Sequence, residues 1–267
     1  MKSFFFPMTQ LSVNVNKIAT LRNSRGGSLP SVLKLSELIL DSGAHGITVH
    51  PRSDERHITK QDVFELQEFL RTYNEKITKL GISKKEYNIE GEPSERFLDL
   101  VLKAKPDQAT LVPVKPGEIT SDHGFQFADQ KTFSTLKPIV EAIRKEGIRV
   151  SLFMETDFTF YDQVVALGAE RIELYTGPFA HAFDLSEEKG KEIFTDYQRA
   201  AIEANKLGLA VNAGHDLDTN NLRVFAKLPY LKEVSIGHRL MAQSLVDGLE
   251  TTVKSYLKVL SLGNETE

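Results

Sequence analysis

The sequence predicts an α/β protein folded as a single (β/α)8 barrel of the TIM type. Short β-branched segments alternate eight times with longer amphipathic segments along the 267 residues, a pattern typical of repeated βαβ units around a parallel sheet. Six of the seven histidines follow predicted strands, and only His45 precedes one. Because the carboxyl ends of the strands meet on one rim of a closed barrel, this placement predicts an active face there.

Each predicted strand is short and is bounded by glycine, proline or polar residues. In chain order, the strands are predicted at Leu11–Val15, Gly46–His50, Tyr87–Glu90, Ala109–Pro113, Arg149–Glu155, Arg171–Thr176, Leu209–Gly214 and Glu233–Gly237.

The helices predicted between these strands carry apolar residues three and four positions apart. The clearest are Ser31–Asp41, Lys60–Tyr73, Ser94–Ala104, Phe133–Lys145, Glu187–Leu207 and Leu240–Leu260. Gly43, Gly147, Gly168 and Gly208 each stand just after a predicted helix and before the next strand, as a left-handed helix end requires.

Length and composition favour one domain that acts on small molecules. Residues 1–8 are expected to be disordered or a mis-assigned start, with Met8 as an alternative first residue, and residues 74–86 are interpreted as a charged, solvated insertion. The net charge of −4 is spread along the chain and does not indicate a nucleic-acid surface, and no apolar run could span a bilayer. The absence of cysteine excludes disulfides and thiolate nucleophiles and fits a reducing compartment such as the cytoplasm.

One face of the predicted strands is polar, although both faces of a parallel sheet are normally buried. This face should point into the barrel, where a polar lining predicts a polar ligand at the mouth. The alternative is a hydrogen-bond network that only sets the strand register. The inward side chains are predicted to be Asn14, Asn16, Thr48, His50, Asn88, Glu90, Ser151, Glu155, Arg171, Glu173, Tyr175 and Asn212.

Two features of the predicted rim favour anionic ligands. Strands seven and eight end in Gly214-His215 and Gly237-His238, where glycine lets the backbone approach phosphate oxygens closely. A cluster of basic residues also follows strands one and two, and guanidinium groups match phosphate geometry. A solvated, salt-bridged loop is the alternative for this cluster, which comprises Arg22, Arg25, His50, Arg52, Arg56 and His57.

Three carboxylates, Glu90, Glu155 and Glu173, are predicted to converge near the barrel axis. Like charges in a narrow lumen shift one another's pKa values and can supply both a proton donor and an acceptor. An ion pair with Arg171 is the competing interpretation for each of them. Metal binding is the weaker hypothesis, because Asn14-Val15-Asn16 stands where metallohydrolase barrels carry His-x-His. The long connection Val114–Ala128 is expected to act as a lid.

Several segments together resemble the pyridoxine 5′-phosphate synthase family over nearly the whole chain. They lie in the expected order, each at a strand end, and comprise residues 14–25, 46–52, 56–59, 111–113, 212–215 and 236–238. The resemblance implies condensation of 1-deoxy-D-xylulose 5-phosphate with 3-amino-2-oxopropyl phosphate to give pyridoxine 5′-phosphate, inorganic phosphate and water. It implies no metal or organic cofactor, and it implies a symmetric homo-oligomer, typically an octamer.

The resemblance also assigns roles to single residues. His50 and Glu90 would be proton acceptors, and His215 would be a proton donor. Glu173 would stabilise charge in the transition state. Asn14, Arg25, Asp216, Gly237 and His238 would hold the amino-ketone phosphate, whereas Asn16, Lys17, Arg52, His57 and Thr120 would hold the deoxyxylulose phosphate.

The chain departs from the family pattern at two of these places. Asn16-Lys17 replaces a common Asp-His pair, and Asp216 replaces a common glycine. Two other functions therefore stay open: another phosphosugar barrel enzyme such as an isomerase or aldolase, and a non-catalytic protein that binds a phosphorylated metabolite. Lys17 is the only lysine near the mouth that could serve an aldolase. The presence of His50, Glu90 and His215 argues against a protein that only binds.

Overall fold

Eight parallel strands form a closed barrel in the computed structural model, which describes residues 8–115 and 121–263. Each strand pairs with the next, and the last pairs with the first, so the predicted TIM barrel is confirmed. The strands are β1 (Gln10–Asn14), β2 (Gly46–Val49), β3 (Glu86–Gly91), β4 (Gln108–Leu111), β5 (Arg149–Met154), β6 (Arg171–Tyr175), β7 (Ala210–Gly214) and β8 (Leu231–Ile236).

Helices surround the barrel and cover the outer face of the strands. Within the described ranges, none of them combines the length and apolar character that a bilayer span requires. They are α1 (Asn16–Asn23), α2 (Val32–Asp41), α3 (Lys60–Thr78), α4 (Glu95–Ala104), α5 (Gln130–Lys145), α6 (Tyr161–Leu167), α7 (Gly177–Leu185), α8 (Glu187–Lys206), α9 (Leu222–Phe225), α10 (His238–Asp247) and α11 (Leu249–Gly263).

The strands separate an apolar outer face from a polar inner face, as the alternation predicts. Outward residues such as Leu11, Ile47 and Ile89 are fully buried under the helices. Inside the barrel, the Thr110 hydroxyl donates to Asn88 Oδ1 over 3.0 Å, and the Ser12 and Thr48 hydroxyls lie 2.7 Å apart.

Two arginines neutralise the lumen near the amino ends of the strands. Arg149 pairs with Glu86. Arg171 donates to Glu233 Oε2 over 3.2 Å and to Asn212 Oδ1 over 3.1 Å. The lower lumen is therefore a network of paired charges and amides, and the register network considered as an alternative exists alongside the polar mouth.

Several elements differ from the predicted ones. The single helix predicted at Leu240–Leu260 is two helices, because Gly248 has φ 82° and ends α10. The helices α1, α6, α7 and α9 were not among the predicted helices. The segment 74–86 begins inside α3 and is not wholly solvated, because Asn74 and Ile77 are buried.

The described part of the loop after β4 packs on β5. Phe125 donates its N–H to the Phe153 carbonyl over 2.9 Å, and the Gly124 N–H donates to Glu155 Oε1 over 3.3 Å. A Cβ at Gly124 would lie 2.5 Å from the Glu155 nitrogen, so only glycine fits there. Residues 116–120, including Thr120, lie outside the described residues.

Candidate active site

A cavity of about 440 Å³ opens at the carboxyl ends of the strands. Its walls come from β1 to β8 and the segments that follow them, where TIM barrels carry their active sites. The described residues that line it are Asn14, Asn16, Lys17, Thr20, His50, Arg52, Arg56, His57, Glu90, Val112, Ser121, Phe153, Glu173, His215, Asp216, Ser235, Gly237 and His238.

Glu90 lies at the floor of this cavity, at the end of β3. Asn14 Nδ2 donates to its Oε2 over 3.4 Å, and the Ser235 hydroxyl donates to its Oε1 over 3.4 Å. Burial raises the pKa of Glu90 to about 8, and the nearby Glu233 carboxylate adds to this effect. In the empty cavity at neutral pH, Glu90 therefore holds a proton in most molecules.

Glu173 lies beside Glu90 and is more deeply buried, at 2% exposure. Burial, together with the charges of Glu90 and Glu233, raises its pKa well above the usual range. Its Oε1 occupies space that only glycine leaves open, since a Cβ at Gly214 would lie 2.4 Å away. Its Oε2 has no hydrogen-bond partner within the described part of the chain.

His50 lies above Glu90, with its Nδ1 3.9 Å from Glu90 Oε2. Burial, together with the neighbouring His57 and Arg52, lowers the pKa of His50 to about 3. A neutral imidazole next to a protonated carboxyl can accept a proton at neutral pH. His50 therefore has the properties of a general base.

The side-chain amides of Asn14 and Asn16 connect Glu90 to His50 through hydrogen bonds. Asn14 binds Glu90 through Nδ2, and its Oδ1 accepts the Asn16 N–H over 3.0 Å. Asn16 Oδ1 in turn accepts the His50 backbone N–H over 2.9 Å. The His50 backbone N–H uses one lone pair of this oxygen, so Asn16 can offer a ligand the two N–H donors of its amide and one further acceptor position.

His57 forms part of a basic wall with Lys17, Arg52 and Arg56. Burial lowers the pKa of His57 to about 4, and the charges of Lys17 and Arg52 contribute. Its Nδ1 accepts the Ile58 N–H over 2.9 Å, so Nε2 carries the proton of the neutral ring. His57 thus offers an N–H donor, whereas the cations beside it supply positive charge.

The amino end of α10 lies next along the rim, because β8 pairs with β1, and Gly237 and His238 line the cavity there. Backbone N–H groups and the helix dipole favour an anion at such a position. A Cβ at Gly237 would lie 3.1 Å from Asn14 Cβ, so the close approach of β8 to β1 requires a small residue. The basic wall and α10 form two separate regions that favour anions.

His215 follows β7 in an unusual backbone conformation. His215 has φ 86° and Asp216 has φ 55°, a left-handed region that costs most residues energy and that Asp tolerates better than bulky residues. The imidazole packs edge-on against Tyr175 and Phe153, with ring centroids 5.5 and 6.0 Å away. Asp216 thus stands where glycine would fit without strain.

The structure brings most of the candidate residues together. The four candidate catalytic residues line the cavity, as do the candidate substrate contacts other than Arg25 and Thr120. Arg25 is exposed and outside the lining, and Thr120 is outside the described residues. Arg22 of the basic cluster pairs with Asp62 instead, through Oδ1 at 2.5 Å and Oδ2 at 2.8 Å.

Two histidines that follow predicted strands lie away from the cavity lining. His181 is an exposed residue of α7, and His123 Nδ1 lies 3.0 Å from Asp122 Oδ1. His45 accepts the Leu11 N–H at the amino end of β1.

The third buried carboxylate differs from the expected one. Glu155 holds the Gly124 loop and does not line the cavity. Glu233 takes its place in the lumen, and Phe153 and Ser235 line the cavity although they were not among the candidate residues. Counting two residues back from Gly237 or two forward from Ser151 would have found these two lining residues.

Metal binding has no side-chain cluster to support it in residues 8–115 and 121–263. No three His, Asp or Glu side chains there are close enough together to hold a metal ion.

Comparison with known proteins identifies the family. A family model described as pyridoxal phosphate biosynthesis protein PdxJ matches residues 11–262. The chain belongs to the PdxJ family. Two curated proteins, both named pyridoxine 5′-phosphate synthase, are similar along nearly its whole length. The one from Flavobacterium johnsoniae is 45% identical over 254 residues, covering 95% of this chain and 100% of its own. The one from Porphyromonas gingivalis is 46% identical over 256 residues, covering 96% and 100%.

Solved structures agree on the fold alone. The tryptophan synthase alpha chain from Legionella pneumophila has a TM-score of 0.62 at 12% identity and covers 95% of this chain and 92% of its own. A structure described as native KDPGal has a TM-score of 0.64 at 10% identity and covers 98% and 97%. Every residue that lines the cavity falls within the PdxJ match.

Proposed function

We infer that this chain is a pyridoxine 5′-phosphate synthase. It condenses 1-deoxy-D-xylulose 5-phosphate with 3-amino-2-oxopropyl phosphate and releases pyridoxine 5′-phosphate, inorganic phosphate and water. The observation that carries this conclusion is the meeting of neutral imidazoles, protonated carboxyls and two anion-favouring regions in one cavity of a PdxJ chain. Imine formation and ring closure need several proton transfers between two phosphorylated substrates, and these groups can supply them.

His50 and Glu90 are proposed as the proton acceptors. His50 is unprotonated at neutral pH, because its pKa is about 3, and a substrate phosphate that offsets the neighbouring cations would raise this pKa and make the ring a better base. Glu90 has a pKa of about 8 in the empty cavity and is therefore mostly an acid there. A cationic amine or imine bound beside it would lower this pKa and release the carboxylate. Substrate binding thus prepares Glu90 to accept a proton.

His215 and Glu173 are proposed to act on developing negative charge. His215 is the proton donor, and its imidazole packs against the rings of Phe153 and Tyr175 at the end of β7. Burial and the neighbouring carboxylates raise the pKa of Glu173 and so favour its neutral acid form. A neutral carboxylic acid can donate a hydrogen bond to an oxyanion or stabilise it without adding charge.

The substrate phosphates are proposed to bind at these two separate regions of the cavity, the basic wall and the start of α10. Gly237 and His238 at the start of α10, with Asn14 and Asp216, would hold the amino-ketone phosphate, and Arg25 would complete this site from its exposed position. The basic wall would hold the deoxyxylulose phosphate through Arg52, Lys17, Asn16, His57 and Thr120. Neutral His57 would contribute a hydrogen bond and no charge.

The test is the variant His215→Asn, with His181→Asn as its matched control. If His215 donates a proton, the kcat of H215N falls by about 100-fold or more while binding of 1-deoxy-D-xylulose 5-phosphate, measured by calorimetry, stays within a few-fold. His181 is exposed on α7, so H181N should retain full activity. A kcat for H215N within threefold of the wild type, on the order of the scatter between variants, would remove His215 from the mechanism.

We also propose that the chain works as a homo-oligomer, an octamer by the family resemblance, in the cytoplasm. The lack of cysteine fits a reducing compartment. The loop after β4 is proposed to close over the bound substrates, with Thr120 reaching the deoxyxylulose phosphate.

A further inference from the structure

The turn that presents His215 is held by side chains outside the cavity. Thr176, directly after β6, donates its hydroxyl to the Gly214 carbonyl over 2.6 Å and also contacts the His215 carbonyl. Its backbone N–H donates to the Gly214 carbonyl over 2.9 Å. Thr176 is fully buried and does not line the cavity.

A second support lies on the other side of the turn. Asn221, which is also fully buried, donates Nδ2 to the Asp216 carbonyl over 3.0 Å. Its Oδ1 accepts the Asp218 N–H over 2.9 Å. The same side chain therefore fixes the turn and the segment that follows it.

These supports act on a backbone that would otherwise relax. Two consecutive non-glycine residues with positive φ, 86° and 55°, persist only where surrounding structure holds them. Thr176 binds the carbonyls before and within the turn, and Asn221 binds the carbonyl after His215. Together they fix three successive carbonyls, those of Gly214, His215 and Asp216. The direction of the His215 imidazole depends on these peptide planes.

We propose that Thr176 and Asn221 are positioning residues. Together they hold the left-handed His215–Asp216 turn so that the imidazole points at the reacting atoms. The inference rests on the proposed function, since it assigns to His215 the proton transfer described above. Neither side chain contacts the cavity, so their effect passes through the backbone of the turn.

Thr176→Val tests this proposal, because valine keeps the shape and removes only the hydroxyl. The expected result is a fall in kcat of about tenfold or more with KM within about twofold, since a small misplacement of a catalytic group mainly slows the chemical step. Thr176→Ser keeps the hydroxyl and should restore kcat to within about threefold of the wild type. Asn221→Ala should lower kcat in the same way and provides a second, independent variant.

Thr252→Val is the matched control. Thr252 is equally buried, and its hydroxyl donates to the Gly248 carbonyl over 2.9 Å at the junction of α10 and α11, outside the cavity lining. T252V should lose thermal stability by a similar amount as T176V but keep its kcat. The proposal is overturned if T176V has the kcat of the wild type. It is also overturned if the fall in the kcat of T176V equals the fraction of T176V that is unfolded and T176S does not recover activity.

A crystal structure of T176V separates this proposal from the proposed function. Relaxation of residues 215 and 216 out of the left-handed region supports the positioning role even if the wild type makes no pyridoxine 5′-phosphate, an outcome that refutes only the proposed function. Retention of both positive φ angles and of the ring position in T176V overturns the positioning role, whatever the activity of the wild type.

Discussion

Replacing Glu90 by glutamine should stabilise the protein at high pH while it abolishes turnover. Glu90 is a buried acid whose pKa rises on folding from 4.5 to about 8. A pKa that is higher in the folded state means that folding favours the protonated form, so the contribution of Glu90 to the stability of the wild type is fully present below pH 4.5. The wild type loses stability as the pH rises towards 8. Glutamine keeps the size of the side chain and has no proton to lose.

The size of this effect follows from the shift. Each pH unit between about 5 and 8 costs the wild type about 1.4 kcal/mol that E90Q does not lose. From pH 5 to pH 8, the stability of E90Q relative to the wild type should therefore rise by about 3.5 kcal/mol. Glutamine keeps one oxygen that can accept from Asn14 Nδ2 and places its NH2 group against the Ser235 hydroxyl, which can act as an acceptor. The glutamine side chain does not titrate, so these contacts leave the slope unchanged.

Urea unfolding at fixed protein concentration across pH 5 to 8, followed by circular dichroism, measures this slope. His50 and His57 have the opposite effect, because their pKa values fall on folding to about 3 and about 4. Through these two residues, the protein loses stability as the pH drops below 6.5. They are present in both proteins, so their contributions cancel in the difference. Glu192→Gln, an exposed residue of α8, is the control and should follow the wild type. An E90Q difference that stays flat with pH would refute the buried, protonated Glu90.

Two further predictions concern the surroundings of the proposed bases. Gly214→Ala places a Cβ 2.4 Å from Glu173 Oε1 and 3.0 Å from the Ser235 carbonyl oxygen, so the Glu173 side chain must move. Steady-state kinetics should then show a kcat reduced by about tenfold or more. An unchanged kcat would mean that the position of Glu173 is unimportant. Asn16→Ala removes the acceptor of the His50 backbone N–H and should lower kcat by about tenfold. Asn16→Asp keeps an acceptor and should retain a kcat closer to that of the wild type. Equal kcat values for the two variants would contradict this role for Asn16.

The barrel could be predicted from the sequence because its strands obey a simple alternation. The starts of β2, β5 and β6 and the end of β7 match their predicted positions, and the other strand ends shift by one or two residues. Outward residues had to be apolar and inward residues were polar, which placed Asn14, Glu90 and Glu173 in the lumen before any contact was known. Short helices such as α9, only four residues long, carry too little periodicity to stand out from a loop.

The rest of the site depends on contacts that alternation cannot show. Glu233 faces Asn212 because the β7 and β8 pairing shifts register next to Val211, and a β-bulge of this kind has no clear signal in one sequence. Glu155 continues the inward parity of β5 but lies beyond the end of the strand, where it is drawn to the Gly124 loop. The left-handed turn at His215 could not be predicted from the sequence, because it contains histidine and aspartate and not the glycine that usually adopts a positive φ.

The proposed condensation is tested most directly by a measurement that follows both of its products. Purified protein without added metal is incubated with 1-deoxy-D-xylulose 5-phosphate and 3-amino-2-oxopropyl phosphate, and pyridoxine 5′-phosphate and inorganic phosphate are quantified together. Equal amounts of the two products are expected, formed only when both substrates are present. If no pyridoxine 5′-phosphate forms while either substrate still binds, this chain is not a synthase, and the cavity serves a different substrate or a binding role.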